Sequence, residues 1–179
     1  GKISIFYQRI LFEKINLIPQ SFFVSKNFLR FFKKSLVSSN KKETLLLLND
    51  LGIISKVIPD FSKIVSQTQF DRFHSLTVDQ HTLRAINILK DIKLNPKKKG
   101  YALAGKIFKK KFDKKPLFYA TLLHDIAKGR GGKHESLGSA ISKKILKTLH
   151  EDEATIKKVS WLVENHFLLS EYAFKKDIQ

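Results

Sequence analysis

The stretch Leu117-Phe-Tyr-Ala-Thr-Leu-Leu-His-Asp-Ile-Ala127, with Pro116 before it and Lys128-Gly129 after it, decides how this chain is read. Pro116 is placed to open a helix, where its missing N–H costs nothing. The run behind it is too apolar for a surface helix, and Gly129 is placed to end it. His124-Asp125 therefore falls at the end of a buried helix. The dipeptide itself is common. An ionised Asp beside a His in such a place is costly unless its charge is compensated, and a metal ion is a compensation that also uses His. A pair turned to solvent at the helix terminus is the alternative.

Outward from this stretch, nearly every apolar segment has helical spacing, and period-2 alternation flanked by hairpin turns is missing, so the expected fold class is all-α. Ser21 to Ser38 places Phe22, Phe28, Leu29, Phe32 and Leu36 on one stripe. Glu43 to Leu51 predicts a short helix closed by Gly52, and Pro59 ends the segment after it. Thr77-Val-Asp-Gln80 fits a capping box and puts His81 in the first turns of a helix whose buried side continues through Ile86, Leu89 and Ile92. Asn95-Pro96 breaks that helix. Another is expected over Tyr101–Phe112, through Ile107 and Phe108. Leu137, Ile141, Ile145 and Leu149 then recur every four residues, with His134 at or before the first turn. Ile156, Val159 and Val163 lead by helical steps to His166. A last short helix is expected from Ser170, carrying Asp177 near its end.

The 179 residues suit one ordinary domain, or one domain with a helical extension. The absence of Cys excludes disulfides, Cys-based zinc sites and thiol nucleophiles, so any metal must use His and carboxylates. No apolar run approaches the ~18 residues of a membrane span, and the N-terminal residues are interrupted too soon for a signal peptide. A cytoplasmic location and no membrane partner are expected. The chain has no Met and reads as a piece of something longer. Its net charge of +18 raises the question of nucleic acid. Lys97 to Lys115 alone holds nine Lys against Asp113, so the excess includes one concentrated segment. A Lys-, Ile-, Phe- and Asn-rich composition with solvated lysines is the favoured reading, and nucleic acid is not the favoured partner.

Four of the six His, namely His81, His124, His134 and His166, fall at expected helix starts or ends on apolar faces. With Asp125 and Asp177 they form the mixed nitrogen and oxygen set of a one- or two-metal hydrolytic site. His74 and His150 lie outside that pattern and read as structural or surface residues. The order His81, His124-Asp125, Asp177 resembles the signature of the HD superfamily of metal-dependent phosphohydrolases. More narrowly, Phe70-Asp-Arg-Phe-His-Ser-Leu-Thr-Val-Asp-Gln-His-Thr-Leu-Arg84, Leu122-Leu-His-Asp-Ile-Ala-Lys-Gly-Arg-Gly-Gly-Lys-His134 and Lys175-Lys-Asp-Ile-Gln179 resemble the HD domain of bacterial bifunctional uridylyltransferase/uridylyl-removing enzymes. The similarity covers about residues 45 to 179. Gln80 stands where that family usually has Glu, and Lys175-Lys176 where it has two Arg.

The resemblance implies an HD-domain helical bundle over residues 70–179, cut short at its C-terminus, behind a helical lead-in over residues 1–69. It implies removal of UMP from a tyrosine of the PII signalling protein, with the nucleotidyltransferase and ACT domains of the same polypeptide missing here. One divalent metal would be held by His81, His124, Asp125 and Asp177. Asp125 would bridge to a second held by His134 and His166. Mn or Mg is expected, with Fe or Zn as alternatives. Asp125 and Lys128 are the expected catalytic residues. Lys128, Arg130 and Lys133 are candidate contacts to phosphate or uridine, although Lys128 also reads as a helix C-terminal Lys favoured by the macrodipole, and Arg130 and Lys133 read equally well as solvated. An HD hydrolase acting on free nucleotides or RNA ends and a non-catalytic helical binding module are the competing functions.

Overall fold

The structure is a computed structural model that describes residues 4–39, 42–68, 76–131 and 133–168. His74, Asp177 and the helix expected from Ser170 lie outside the described residues. Within them there is no strand, and the order is α1 Ile5–Lys14, α2 Gln20–Phe23, α3 Lys26–Val37, α4 Lys42–Asp50, α5 Ile53–Val57, α6 Val78–Leu94, α7 Ala102–Lys109, α8 Lys115–Leu123, α9 His134–Thr148 and α10 Glu153–Glu164. Short 3-10 turns come after α1 (Ile15–Leu17) and α5 (Pro59–Lys63).

The stripe read from Ser21 to Ser38 is broken in two. The Ser25 hydroxyl accepts from the Phe28 amide at 3.3 Å and caps a new helix, so α2 stops before it. The break turns Phe23 into the core (0% exposed) and leaves Phe22 48% exposed, while Leu29, Phe32 and Leu36 stay buried on α3. The capping box at Thr77 and Gln80 forms as the spacing predicts. Asp79 within it is buried and accepts from Asn49 Nδ2 (2.9 Å) and the Ser66 amide (3.1 Å), which pins the start of α6 to α4. Two stripe positions fail: Ile107 is exposed while Phe108, expected beside it, is buried, and Leu137 is exposed while Gly138 takes the buried position.

The helix expected through Ala127 ends at Leu123. His124 Nδ1 lies 2.9 Å from the Thr121 carbonyl, the acceptor that a later helical amide would have used. The chain then winds more tightly, with Ile126, Lys128 and Arg130 amides bonding back three residues. It leaves at Gly129 with φ of +76°, where a Cβ would strike the Gln67 side chain.

α8 runs through the middle of one continuous core that includes Phe23, Phe32, Ile54, Ile86, Leu122, Ile145 and Val159. α10 packs on α9 and α8, and α6 and α3 cover other sides of α8. A second buried carboxylate holds the far end of α9. Glu151, 5% exposed in its side chain, accepts from Lys33 (2.8 Å), Lys115 (2.7 Å) and the Tyr119 hydroxyl (2.7 Å). Burial works against its charge, but Lys115, Lys33 and Tyr119 hold its pKa below the usual carboxylate range. One residue on, Asp152 caps α10 by accepting from the Thr155 amide and hydroxyl, both at 2.8 Å, and these bonds hold its pKa down to about 2.

Glu151→Ala leaves two ammonium groups and a phenol without their shared acceptor and is expected to cost about 3 kcal/mol, a Tm decrease of roughly 10 °C by thermal melting. The cap is also testable by pH. A carboxyl depressed from 3.8 to about 2 contributes stability above about 4 that is lost as pH falls through about 2. Asp152→Asn keeps a capping oxygen and cannot titrate, so its Tm is expected to fall less steeply than wild type between these pH values.

Candidate metal centre

Four helix ends meet where α8 gives way to turns. His81 lies one turn into α6, His124 ends α8, His134 opens α9, and His166 sits in the turn after α10. Asp125, 3% exposed, occupies the middle. Ligand atoms of His81, His124 and Asp125 lie within 4.8 Å of one another, and so do those of Asp125, His134 and His166. The two carboxylate oxygens face different sides. Oδ2 is 3.4 Å from His124 Nε2 and 3.4 Å from Lys128 Nζ, whereas Oδ1 is 3.8 Å from His166 Nε2.

The hydrogen bonds around the imidazoles prepare them as ligands. His124 Nδ1 faces the Thr121 carbonyl and His166 Nδ1 faces the Val163 carbonyl at 2.7 Å. A carbonyl only accepts, so each Nδ1 carries the hydrogen and each Nε2 presents a lone pair when the ring is neutral. Burial pushes the His124 pKa down, more strongly than Asp125 pushes it up, which favours that neutral ring. Asp125 behaves in the opposite way. Burial alone would raise its pKa, but His124, Lys128, His166 and His81 together hold it below the usual carboxylate range.

Among the described residues, Asp125 Oδ1, His134 Nε2 and His166 Nε2 are buried without a hydrogen-bond partner. Orphaned polar atoms of this kind cost about 1–3 kcal/mol each in a folded protein. A divalent cation, bound by neutral imidazole nitrogens and carboxylate oxygens, fits this donor set.

The remaining candidates from the sequence divide between the centre and the periphery. Lys128 reaches the Asp125 carboxylate. Arg130 points to neither solvent nor the centre: its Nη1 bonds Asp60 Oδ1 at 2.8 Å and its Nη2 bonds the Asp60 carbonyl at 3.0 Å, which ties the turn after α8 to the 3-10 turn after α5. Lys133 is exposed. His150 is exposed in a left-handed turn at the opposite end of α9 from His134. Asp177 lies outside the described residues. Sequence reasoning missed Phe167, whose ring lies tilted against His166 with centroids 4.1 Å apart and meets His134 edge-on at 5.4 Å. His166 and Phe167 are neighbours in the turn after α10, where helical spacing rules do not apply and none points to that contact.

An all-helical bundle that brings His and Asp side chains from four helix ends around one buried carboxylate is the architecture of a metal-dependent hydrolase of the HD type. The chain belongs to the HD domain family, whose model matches residues 78–177. It is 42% identical over 148 residues to a bifunctional uridylyltransferase/uridylyl-removing enzyme of Novosphingobium aromaticivorans, covering 82% of this chain and 16% of that protein. Proteins of the same name from Zymomonas mobilis (41% over 139 residues, 78% of this chain and 15% of that one) and Ruegeria pomeroyi (36% over 171 residues, 95% and 19%) are also similar. The chain thus spans about a sixth of the length of curated relatives such as these. No solved structure matches it.

Arg130→Ala is expected to lower stability by about 1 kcal/mol in thermal melts while metal content by elemental analysis stays unchanged. Phe167→Ala is expected to leave the melt unchanged and to weaken Mn²⁺ binding about 10-fold in calorimetric titration, because the rings it braces lose their orientation.

Proposed function

We propose that this chain hydrolyses the phosphodiester of a uridylylated tyrosine, releasing UMP from the PII signalling protein. The observation that carries this is Asp125, one carboxylate shared by two His-containing triads in a chain similar to enzymes named as uridylyl-removing. On this reading His81, His124 and Asp125, with Asp177, hold one divalent ion, and Asp125, His134 and His166 hold another, Mn or Mg being the expected metal. When bound, such ions supply an acidified water near neutral pH and take up charge on the phosphoryl oxygens.

The chain's own residues do the rest. The carbonyls of Thr121 and Val163 fix the His124 and His166 rings, and Phe167 limits the second ring further. Asp125 stays ionised and buried, so its two oxygens remain available on both sides. Lys128, beside that carboxylate, neutralises the substrate phosphate where the charge develops. The leaving group would be a phenolate, whose pKa of about 10 makes it a better leaving group than a ribose alkoxide, so the reaction does not depend on a strong general acid. The nucleotidyltransferase and ACT regions expected elsewhere in the polypeptide would supply the opposing reaction and its control.

Uridylylated PII, a panel of free nucleotides and RNA ends should be compared as substrates. The expected result is release of UMP from the protein alone, and hydrolysis confined to free nucleotides or RNA would reject the proposal. His124→Ala and Asp125→Ala are each expected to lose metal and to lower UMP release at least about 1,000-fold. Lys128→Ala should keep the metal and lose about 100-fold in kcat. Metal retained in both the His124 and Asp125 variants would sink the site as drawn.

A further inference from the structure

The nine lysines of residues 97–115 take no part in the centre. Thirteen residues of α6 separate His81 from Leu94, about 20 Å of helix, so the segment lies at the far end of that element. α7 is held there firmly: Gly105 approaches the Pro96 carbonyl so closely that a Cβ would collide with it, and Phe108 is buried on the same side. The opposite side of α7 is unusual. It turns Leu103 (73% exposed) and Ile107 (46% exposed) into solvent one helical turn apart, with Lys106 between them.

Most of the surrounding charge is uncompensated. Asp91 pairs with Lys98 at 2.8 Å, and Glu151 and Asp152 engage Lys115, but Lys97, Lys99, Lys106, Lys109, Lys110 and Lys111 face no carboxylate among the described residues. The face therefore combines a dense positive field with two aliphatic side chains that already project outward.

We propose that the outer face of α7 adsorbs to an anionic phospholipid surface, with Leu103 and Ile107 entering the interface and the lysines around them meeting the headgroups. Three observations favour a bilayer over other polyanions and partners. Two aliphatic side chains projecting from a cationic helix gain from an apolar depth that nucleic acid does not offer. The segment contains no Arg, and each of its two accessible aromatic rings already has an ammonium group over one face, Tyr101 from Lys98 at 5.3 Å and Phe112 from Lys114 at 4.4 Å, which leaves a base less ring surface to stack on. Protein interfaces are depleted of Lys, which this surface has in excess. Peripheral adsorption needs no spanning helix, and no described helix is long and apolar enough to cross a membrane.

The test is sedimentation of the 179-residue chain with phosphatidylglycerol-containing vesicles and with pure phosphatidylcholine vesicles, alongside a gel shift with unrelated RNA. Binding to the anionic vesicles alone is expected, weakening with salt. Lys109→Gln/Lys110→Gln/Lys111→Gln should weaken it about 100-fold. Leu103→Ser/Ile107→Ser, which keeps every charge, should weaken it about 10-fold or more. All five positions are exposed, and unchanged thermal melts verify that the variants fold. The proposal is overturned by no binding to anionic vesicles, by full binding of the serine variant, or by tighter binding to RNA than to vesicles at the same salt.

Discussion

A carboxylate cannot be buried without compensation, and Asp125 is buried almost completely. Its compensation comes from Lys128 and the imidazoles of His124, His166 and His81, brought in by α6, the end of α8 and the turns after α8 and α10. That requirement explains why helices of such different lengths begin or end in one place. It also explains the early end of α8, where the His124 ring takes the Thr121 carbonyl and the chain tightens so that Asp125 turns inward.

Glu151 meets the same requirement differently. Both carboxylates are buried, both have depressed pKa values and both lie beside cationic groups. Glu151 is closed, because two ammonium groups and a phenol satisfy it with short bonds. Asp125 is open. Its neighbours are imidazoles that present lone pairs, at least two of them have their other nitrogen committed to a carbonyl, and several polar atoms remain orphaned. The same physics thus gives a structural clamp at one end of α9 and a candidate cation site at the other.

Much of this was legible in the chain. The capping box at Thr77, the opening proline of α8 and the run Ile156, Val159, Val163, His166 are local patterns, and local patterns set helix starts and faces. The failures share a cause. Phe22, Ile107 and Leu137 each satisfied a helical period, yet Phe23 and Gly138 took the buried positions beside Phe22 and Leu137, and of the expected pair Ile107 and Phe108 only Phe108 is buried, because a wheel gives the spacing of a face and not which neighbour will cover it. Arg130 read as a phosphate contact or a solvated side chain until the fold brought Asp60, seventy residues earlier, against it.

By itself the amino-acid order determined the helical class, the absence of thiol chemistry and the His and Asp residues that any metal would have to use, since composition and short-range periodicity depend on nothing distant. Tertiary structure alone decided that Asp125 presents its two oxygens to different triads, that Phe167 braces the His166 ring, and that Glu151 gathers Lys33, Lys115 and Tyr119. Those are contacts between residues far apart in the chain, or between neighbours whose meeting no period predicts. They exist only once packing has fixed the direction of each side chain.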